Sequence, residues 1–335
     1  MKKTLTVFLV FLLALSVTGV VVFAGGTKEE AAEEGKEWEI VYVAKLIGIP
    51  WFNVTEQGIK DASKKYGVKG SLVGPPDPDP AQQARVVEDM IAKGVDAICV
   101  APNDADTLEP VLAKAREKGI LILTHESPNQ KNNDFDIEMV NNQKFGEQHT
   151  RKLVEFMGEE GGYVVMVGGL TVPTHNEWAD YAVAYQEKNY PKLFQVTDRI
   201  PCTESVELSH DRTLELIKAY PDLKGIIAIG SLGPIGAAQA VREKGMEDKV
   251  MVVGTALPSH ASPYLKDGSM KHGILYSPHA AGVTVVYLAK YLLEGGDINA
   301  LKEIPGVGGI SLEGKIVVVD GMIDITAENA DSLGF

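Results

Sequence analysis

From Trp38 onward, short runs of apolar residues alternate with longer segments in which apolar residues recur at helical spacing. The short runs are continuously apolar, which is typical of strands buried on both faces of a parallel sheet. About five strand–helix units precede residue 140, and a comparable set follows without an obvious internal repeat. The pattern therefore predicts an α/β protein with two lobes, each a parallel sheet covered by helices.

Helices are expected where apolar residues return every three or four positions. Two of them cover 53–66 and 178–189, beginning at Asn53 and Trp178. After the second of these helices, the apolar run 194–200 predicts a single strand.

The first 24 residues have the build of a secretory signal peptide. Lys2 and Lys3 precede an apolar run, 5–22, and a small-residue cleavage site ends at Ala24. The acidic tract that follows, 25–37, is interpreted as a flexible linker. The alternative is an uncleaved membrane anchor, because the apolar run is about long enough to span a bilayer. Cleavage after Ala24 predicts an exported protein, periplasmic or otherwise extracytoplasmic.

Charge and missing motifs exclude several functional classes. The 335-residue chain has a formal net charge of −14 and no basic cluster, which argues against a nucleic-acid partner. It has no P-loop, dinucleotide-binding glycine motif, nucleophile elbow or zinc-protease motif, and its seven His are widely scattered. We therefore expect no enzymatic activity, no cofactor and no metal site, but a small-molecule ligand.

Polar and aromatic residues gather just after the predicted strands. In open parallel sheets, ligands bind beyond the carboxyl ends of the strands. Aromatic rings there pack on the apolar faces of a polyol, while amides, hydroxyls and charged groups bond its hydroxyls. The candidate ligand-binding residues are Lys45, Trp51, Phe52, Asn103, His125, Glu126, His175, Asn176, Trp178, Ser231, Leu257 and Tyr276.

Other interpretations stay open for some of these residues. His125 and Glu126 could form an acid–base couple, although the lack of a nucleophile motif favours hydrogen bonding to a ligand. Trp51 and Trp178 could be core residues, and Lys45 could be a solvated surface residue.

Short segments follow the strands in a characteristic order: 44–48 (AKLIG), Trp51-Phe52, Gly74-Pro75, 123–127 (LTHES), Asn176-Glu177-Trp178, 218–223 (KAYPDL), 254–258 (GTALP) and 304–306 (IPG). In this order they resemble the periplasmic sugar-binding proteins of ABC importers, the ribose-binding-like group that is related to LacI-type repressor cores. The resemblance covers about residues 39–335 and is greatest to the rhamnose-binding and autoinducer-2-binding branch. A repressor is excluded, because an export signal stands where a basic helix-turn-helix would be.

The resemblance implies a type I periplasmic binding protein with two Rossmann-like lobes joined by three crossings. The N-terminal lobe would comprise 38–142 plus 278–310, and the C-terminal lobe 143–277 plus 311–335. The crossings would lie near 141–143, 276–278 and 309–314. Such proteins close on a sugar by hinge motion and present it to a membrane permease. The expected partners are a sugar and an ABC permease, and the expected oligomeric state is a monomer.

Roles carry over from the resemblance residue by residue. Lys45 matches a ligand-contacting lysine, and Phe52 matches an aromatic residue of the cleft. Glu126 stands where the family has an Asp that holds ligand hydroxyls, while Asn176 and Trp178 match cleft-lining residues. Because we place Phe52 and Glu126 in an exposed cleft, we expect them to matter for binding more than for stability.

Departures from the family pattern bear on the ligand. Thr174 and His175 replace an Asp and a Gln of autoinducer-2 receptors, and Gly230 and Ala256 replace acidic residues of the ribose branch. A less polar wall suits a rhamnose-like deoxysugar, whose methyl group needs no hydrogen bond. The alternatives are an exported receptor for a signalling molecule such as autoinducer-2, and an exported enzyme acting on sugars. His125, where relatives carry Trp, has no role from the resemblance.

Overall fold

The computed structural model of the protein describes residues 36–335. The predicted signal peptide, 1–24, and nearly all of the predicted linker, 25–37, lie outside the described residues. Within the described part, no helix has both the length and the apolar character needed to cross a lipid bilayer.

A first parallel sheet forms the centre of the N-terminal lobe. Its strands lie side by side in the order β5, β4, β3, β1, β2. All four residues of β3 are buried, because helices cover both faces of the sheet. The strands, in chain order, are β1 (Glu39–Val43), β2 (Lys69–Val73), β3 (Ala97–Val100), β4 (Leu121–His125) and β5 (Phe135–Glu138).

A second parallel sheet forms the centre of the C-terminal lobe. Its strands are β6 (Glu160–Val167), β7 (Lys192–Gln195), β8 (Ile200–Pro201), β9 (Leu223–Ala228), β10 (Met251–Gly254) and β11 (His272–Leu275). They lie in the order β11, β10, β9, β6, β7, and β8 pairs with the end of β6. The prediction of one strand over 194–200 is wrong. Polar residues 197–199 interrupt the apolar run, so β7 and β8 pair separately with β6.

Helices connect the strands and cover both sheets. Two of them begin earlier than the apolar pattern predicts, α1 at Pro50 and α5 at Pro173. Proline suits the first helical position because its missing N–H has no intrahelical partner there. The helices are α1 (Pro50–Tyr66), α2 (Pro80–Lys93), α3 (Ala105–Glu117), α4 (Asn142–Met157), α5 (Pro173–Asn189), α6 (Val206–Ala219), α7 (Gly233–Glu243), α8 (Pro258–Asp267) and α9 (Pro278–Leu293).

Helices α1 and α9 approach each other closely at two glycines. A Cβ atom on Gly58 would lie 2.1 Å from the carbonyl oxygen of His279, and one on Gly282 would lie 2.2 Å from that of Thr55. Such distances leave no room for a side chain, so glycine at both positions permits the close packing of the two backbones. This contact fixes α1, whose first turn reaches the site described below.

The last part of the chain contributes to both sheets. It contains β12 (Glu303–Ile304), β13 (Gly308–Gly309), β14 (Ser311–Glu313), β15 (Ile316–Val318) and β16 (Ile323–Ile325). β12 and β13 form a separate hairpin. β15 lies parallel to β5 and antiparallel to β14, whereas β16 pairs with β11.

This pairing corrects the lobe boundary expected from the sequence, which assigned all of 311–335 to the C-terminal lobe. Residues 311–318 complete the first sheet instead, because β15 satisfies the backbone groups along the edge of β5 and buries Val317 fully. Within residues 36–335 the chain passes between the sheets at 139–141, at Tyr276–Ser277 and at 319–322. The last of these lies beyond the expected 309–314.

Candidate functional site

A cavity lies between the two lobes, at the carboxyl ends of their strands. Lys45 follows β1 and Glu126 follows β4, whereas Ser231 and Thr255 follow β9 and β10 of the other lobe. Tyr276 follows β11 on the second crossing. The lining residues are Lys45, Ile49, Trp51, Phe52, Glu126, His175, Trp178, Glu204, Gly230, Ser231, Thr255 and Tyr276.

A buried ion pair occupies the N-terminal wall of the cavity. Lys45 Nζ donates to Glu126 Oε2 at 2.5 Å, and the Tyr276 hydroxyl donates to Oε1 of the same carboxylate. Burial alone would raise the pKa of Glu126, but the Lys45 ammonium outweighs burial and holds the pKa well below its usual range. Glu126 is therefore an ionised hydrogen-bond acceptor inside the cavity.

The backbone at Glu126 is in the left-handed region, with φ of 62°. A non-glycine residue there carries a conformational cost of ~1–2 kcal/mol. Residues held in such conformations tend to occur at binding or catalytic sites, where the strain sets the direction of a side chain. The side chain of Glu126 lines the cavity, in agreement with that tendency.

His125 lies behind this carboxylate rather than in the lining. Its Nδ1 is 2.7 Å from the Tyr42 hydroxyl, and its Nε2 is 3.4 Å from the Tyr276 hydroxyl. The Tyr276 hydroxyl uses its hydrogen in the hydrogen bond to Glu126. Nε2 of His125 must therefore donate to the Tyr276 oxygen, and Nδ1 of His125 accepts from the Tyr42 hydroxyl. Burial lowers the pKa of His125 to about 4, so the ring is neutral at pH 7. Its role in the structure is to orient the Tyr276 hydroxyl toward Glu126.

His175 faces the ion pair from the C-terminal lobe. Its Nε2 is 3.3 Å from Lys45 Nζ, and its Nδ1 accepts a hydrogen bond from the Gly168 N–H at 3.1 Å. Glu204 Oε1 lies 4.0 Å from Nδ1. Burial, assisted by the Lys45 charge, lowers the pKa of His175 to about 3, so this ring is also neutral at pH 7.

Aromatic side chains line both walls. Trp51 packs edge-on against Tyr276 with ring centroids 5.2 Å apart, and Trp178 stacks on His175 at 5.8 Å. Trp178 also donates its indole N–H to Asn142 Oδ1 at 2.7 Å, which fixes the ring. Phe52 lies beside them at the start of α1.

The burial of these residues corrects an expectation. The strand-exit pattern predicts that Phe52 and Glu126 lie in an exposed cleft, yet each is only 5% exposed. The two walls are in contact, since Thr171 donates to the Asn103 carbonyl at 2.9 Å and Thr174 donates to the Glu126 carbonyl. Both residues therefore contribute to packing in this structure as well as lining the cavity.

Four candidate residues lie outside the lining. His125 is one of them. Asn103 donates to the Lys45 carbonyl at 2.7 Å, and Asn176 donates to two carbonyls beside the start of α5. Leu257 is the buried residue that precedes α8. The other eight candidates line the cavity together.

The cavity includes four residues that were not among the candidates: Ile49, Glu204, Gly230 and Thr255. Thr255 belongs to the strand-exit segment 254–258, Ile49 directly follows the segment 44–48, and Gly230 is one of the departures from the family pattern. The sequence does not mark Glu204 as a residue that follows a strand. The strand before it, β8, has only two residues, one of them proline, and therefore forms no apolar run. Knowing that β8 pairs with β6 would have placed Glu204 at a strand exit.

The cavity measures about 30 Å³, room for about one water molecule. A monosaccharide therefore enters only when the lobes separate or the lining side chains move. Within residues 36–335, no group of three or more His, Cys, Asp or Glu side chains is arranged to hold a metal ion.

The chain is similar to several proteins that bind small molecules. The D-ribose/D-allose-binding protein of Pseudomonas aeruginosa is 27% identical over 251 residues, which cover 71% of this chain and 76% of that protein. LsrB from Clostridium saccharobutylicum, solved in complex with AI-2, superposes with a TM-score of 0.82 at 21% identity, covering 89% of this chain and all of that one.

An ABC transporter solute-binding protein from Clostridium phytofermentas, solved with bound L-rhamnose, also gives a TM-score of 0.82, at 22% identity over 89% of this chain and 98% of that one. At such identities the two structures establish a shared fold. Residues 40–297 match the model of the periplasmic binding protein domain, and the chain belongs to that family.

Proposed function

We propose that this protein is an extracytoplasmic solute-binding protein that captures a monosaccharide between its lobes and delivers it to an ABC importer. A rhamnose-like 6-deoxyhexose is the favoured ligand. The observation that carries the proposal is the cavity itself, in which aromatic rings from both lobes lie beside an ionised carboxylate, an ammonium group and a free hydroxyl. Ring faces and directional polar groups together suit a sugar.

The polar part of the lining can bind several hydroxyl groups. Glu126 and Glu204 supply acceptors, Lys45 supplies donors, and Ser231 supplies either. Among the described residues, the Ser231 hydroxyl and the Glu204 carboxylate have no hydrogen-bond partner. These groups are available to a ligand without breaking an existing hydrogen bond.

The apolar part of the lining supports a deoxysugar. Ile49, Trp51 and Phe52 come from one short segment at the start of α1 and offer no hydroxyl partner except the indole N–H. A methyl group is bound there without cost, whereas a hydroxymethyl group would lose hydrogen bonds to water.

Transport, rather than catalysis, fits the relatives. The similar proteins are named for binding ribose, allose, apiose or xylitol. Lobe closure around the sugar would present a new surface to a permease. A receptor for autoinducer-2 is the second candidate, since LsrB with AI-2 and the L-rhamnose-bound protein superpose equally well on this fold.

The ligand is tested by calorimetry with matched sugars that differ by one hydroxyl. L-Rhamnose is compared with L-mannose, and L-fucose with L-galactose, alongside D-ribose, D-allose and AI-2. We expect one 6-deoxy sugar to bind roughly 10- to 100-fold more tightly than its hydroxylated partner. Equal affinity within both pairs would refute the deoxysugar preference, binding of AI-2 alone would favour the receptor, and turnover of a sugar would make the protein an enzyme.

A pair of serine variants tests the site. Ser231→Ala removes the unpartnered cavity hydroxyl and should weaken binding about 2- to 10-fold, as expected for one neutral hydrogen bond. Ser71→Ala, on the exposed strand β2, is the control and should bind as the wild type does. Equal affinity of the two variants would remove Ser231 from the proposed site.

A further inference from the structure

His175 is placed between two hydrogen-bond donors. The Gly168 N–H points at Nδ1 from 3.1 Å, and Lys45 Nζ lies 3.3 Å from Nε2. A neutral imidazole has one donor and one acceptor nitrogen, whereas an ammonium group has donors only. The ring therefore cannot accept from both neighbours.

Neither tautomer resolves this conflict. With Nδ1 accepting from Gly168, the Nε2 proton faces the Lys45 ammonium. With the proton on Nδ1, the Gly168 N–H loses its acceptor, and Glu204 Oε1 at 4.0 Å is too far away to accept the proton. Protonating the ring would make both nitrogens donors. In every protonation state a donor faces a donor.

The conflict lies across the interface between the lobes. Lys45 follows β1 of the N-terminal lobe and is held by Glu126 of the same lobe, while His175 and Gly168 belong to the C-terminal lobe. It therefore arises only when the lobes are closed. An oxygen atom beside this pair, within hydrogen-bond distance of both Lys45 Nζ and His175 Nε2, would accept from both and remove the conflict.

We propose that Lys45 and His175 form a two-donor clamp for one oxygen of the ligand, and that their mutual repulsion opposes closure of the empty protein. The inference rests on the proposed function and specifies its ligand further. One oxygen of the sugar acts purely as an acceptor, as a ring oxygen can, whereas a hydroxyl that meets the ionised Glu126 must donate, because a carboxylate only accepts.

The test measures closure without ligand. Spin labels on cysteines introduced at Asp106 and Glu207, exposed residues in the first turns of α3 and α6 on opposite lobes, report the interlobe distance by electron paramagnetic resonance. His175→Glu places acceptor oxygens opposite Lys45. Relieving one unpaired buried donor should raise the closed-to-open ratio of the sugar-free protein about fivefold or more. His175→Gln, which offers an acceptor without a charge, should shift it in the same direction.

The wild type, sugar-free, should populate mainly the longer distance. Equal closed populations in the wild type and both variants, each shown to be folded by circular dichroism, would overturn the clamp, as would a wild type that is already closed without sugar. The sugar that binds the wild type in the calorimetry series described above should bind the His175→Glu variant at least tenfold more weakly. Failure of the proposed function would give a different result from failure of the clamp. If the proposed function is wrong, no monosaccharide binds the wild type in calorimetry, whatever distances the spin labels report.

Discussion

Replacing Glu126 by Gln tests the charge balance of the cavity. The substitution keeps the shape of the side chain but removes the negative charge paired with Lys45 Nζ at 2.5 Å. The Lys45 and Glu126 side chains are 5% and 7% exposed, so water cannot readily replace the lost partner. We expect the variant to be less stable, because a buried ammonium is left without a counter-charge.

The size of the effect follows from this burial. Removing one partner of a buried ion pair costs ~3–5 kcal/mol. At roughly 2 °C per kcal/mol for a chain of this length, Glu126→Gln should lower the Tm by roughly 6–10 °C at pH 7 when the lobes are closed, and by less when the open state lets water reach the pair. The difference should shrink in acid. A carboxylate whose pKa is depressed in the folded state contributes stability above its ordinary pKa and loses it as the pH falls further.

Scanning calorimetry across pH measures both effects, with two controls. Glu56→Gln breaks the exposed pair with Lys60, whose side chains are 36% and 58% exposed, and should change the Tm by little. The double variant Lys45→Met/Glu126→Gln removes both buried charges and should recover most of the lost stability. Equal Tm shifts for Glu126→Gln and Glu56→Gln, or a difference that persists unchanged to about pH 3, would refute the reasoning.

Three further outcomes are expected. Gly282→Ala puts a Cβ 2.2 Å from a backbone oxygen of α1 and should lower the free energy of unfolding, measured in urea, by ~1–3 kcal/mol. The control Gly309→Ala, whose Cβ would have its nearest neighbour at 3.8 Å, should leave it nearly unchanged. Phe52→Ala should weaken sugar binding and should lower the stability of the closed, sugar-bound protein by ~3–5 kcal/mol, because the ring is buried there. The loss should be smaller in the open, sugar-free protein, and an equal loss in both would mean that the ring is buried without closure. Burial lowers the pKa of His149 to about 4, so the free energy of unfolding should fall as the pH drops from about 6.5 through 4. In a profile of Tm against pH, the His149→Gln variant should show a smaller fall over this range.

The fold class could be predicted from the chain because its physical signal is local. Continuous apolar runs such as 97–100 are buried on both faces, and the α/β architecture with two parallel sheets is confirmed. The strand-exit rule also uses a local signal, since it needs only the end of each strand. It identified Lys45, Glu126 and Tyr276, which the structure brings together although they are distant in the chain.

The remaining features depend on pairings that no local pattern encodes. Strand β5 carries Asp136 and Glu138, so its composition does not suggest a buried strand, and its place becomes evident only from β15 beside it. Glu204 follows a two-residue strand that exists because of β6. The burial of Phe52 could not be inferred either, because it depends on how far the two lobes close.

The parallel pairing of β15 with β5 bears on how the protein folds. Ile316 lies opposite Asp136, so the N-terminal lobe is completed by a segment synthesised after nearly all of the C-terminal lobe. Contacts so distant in sequence give a high contact order, which slows folding. A nascent chain stopped before β14 would leave β5 as an unpaired edge, able to pair with another molecule. For the export that the signal peptide predicts, late acquisition of the native state would also keep the polypeptide unfolded during its passage through a translocation channel.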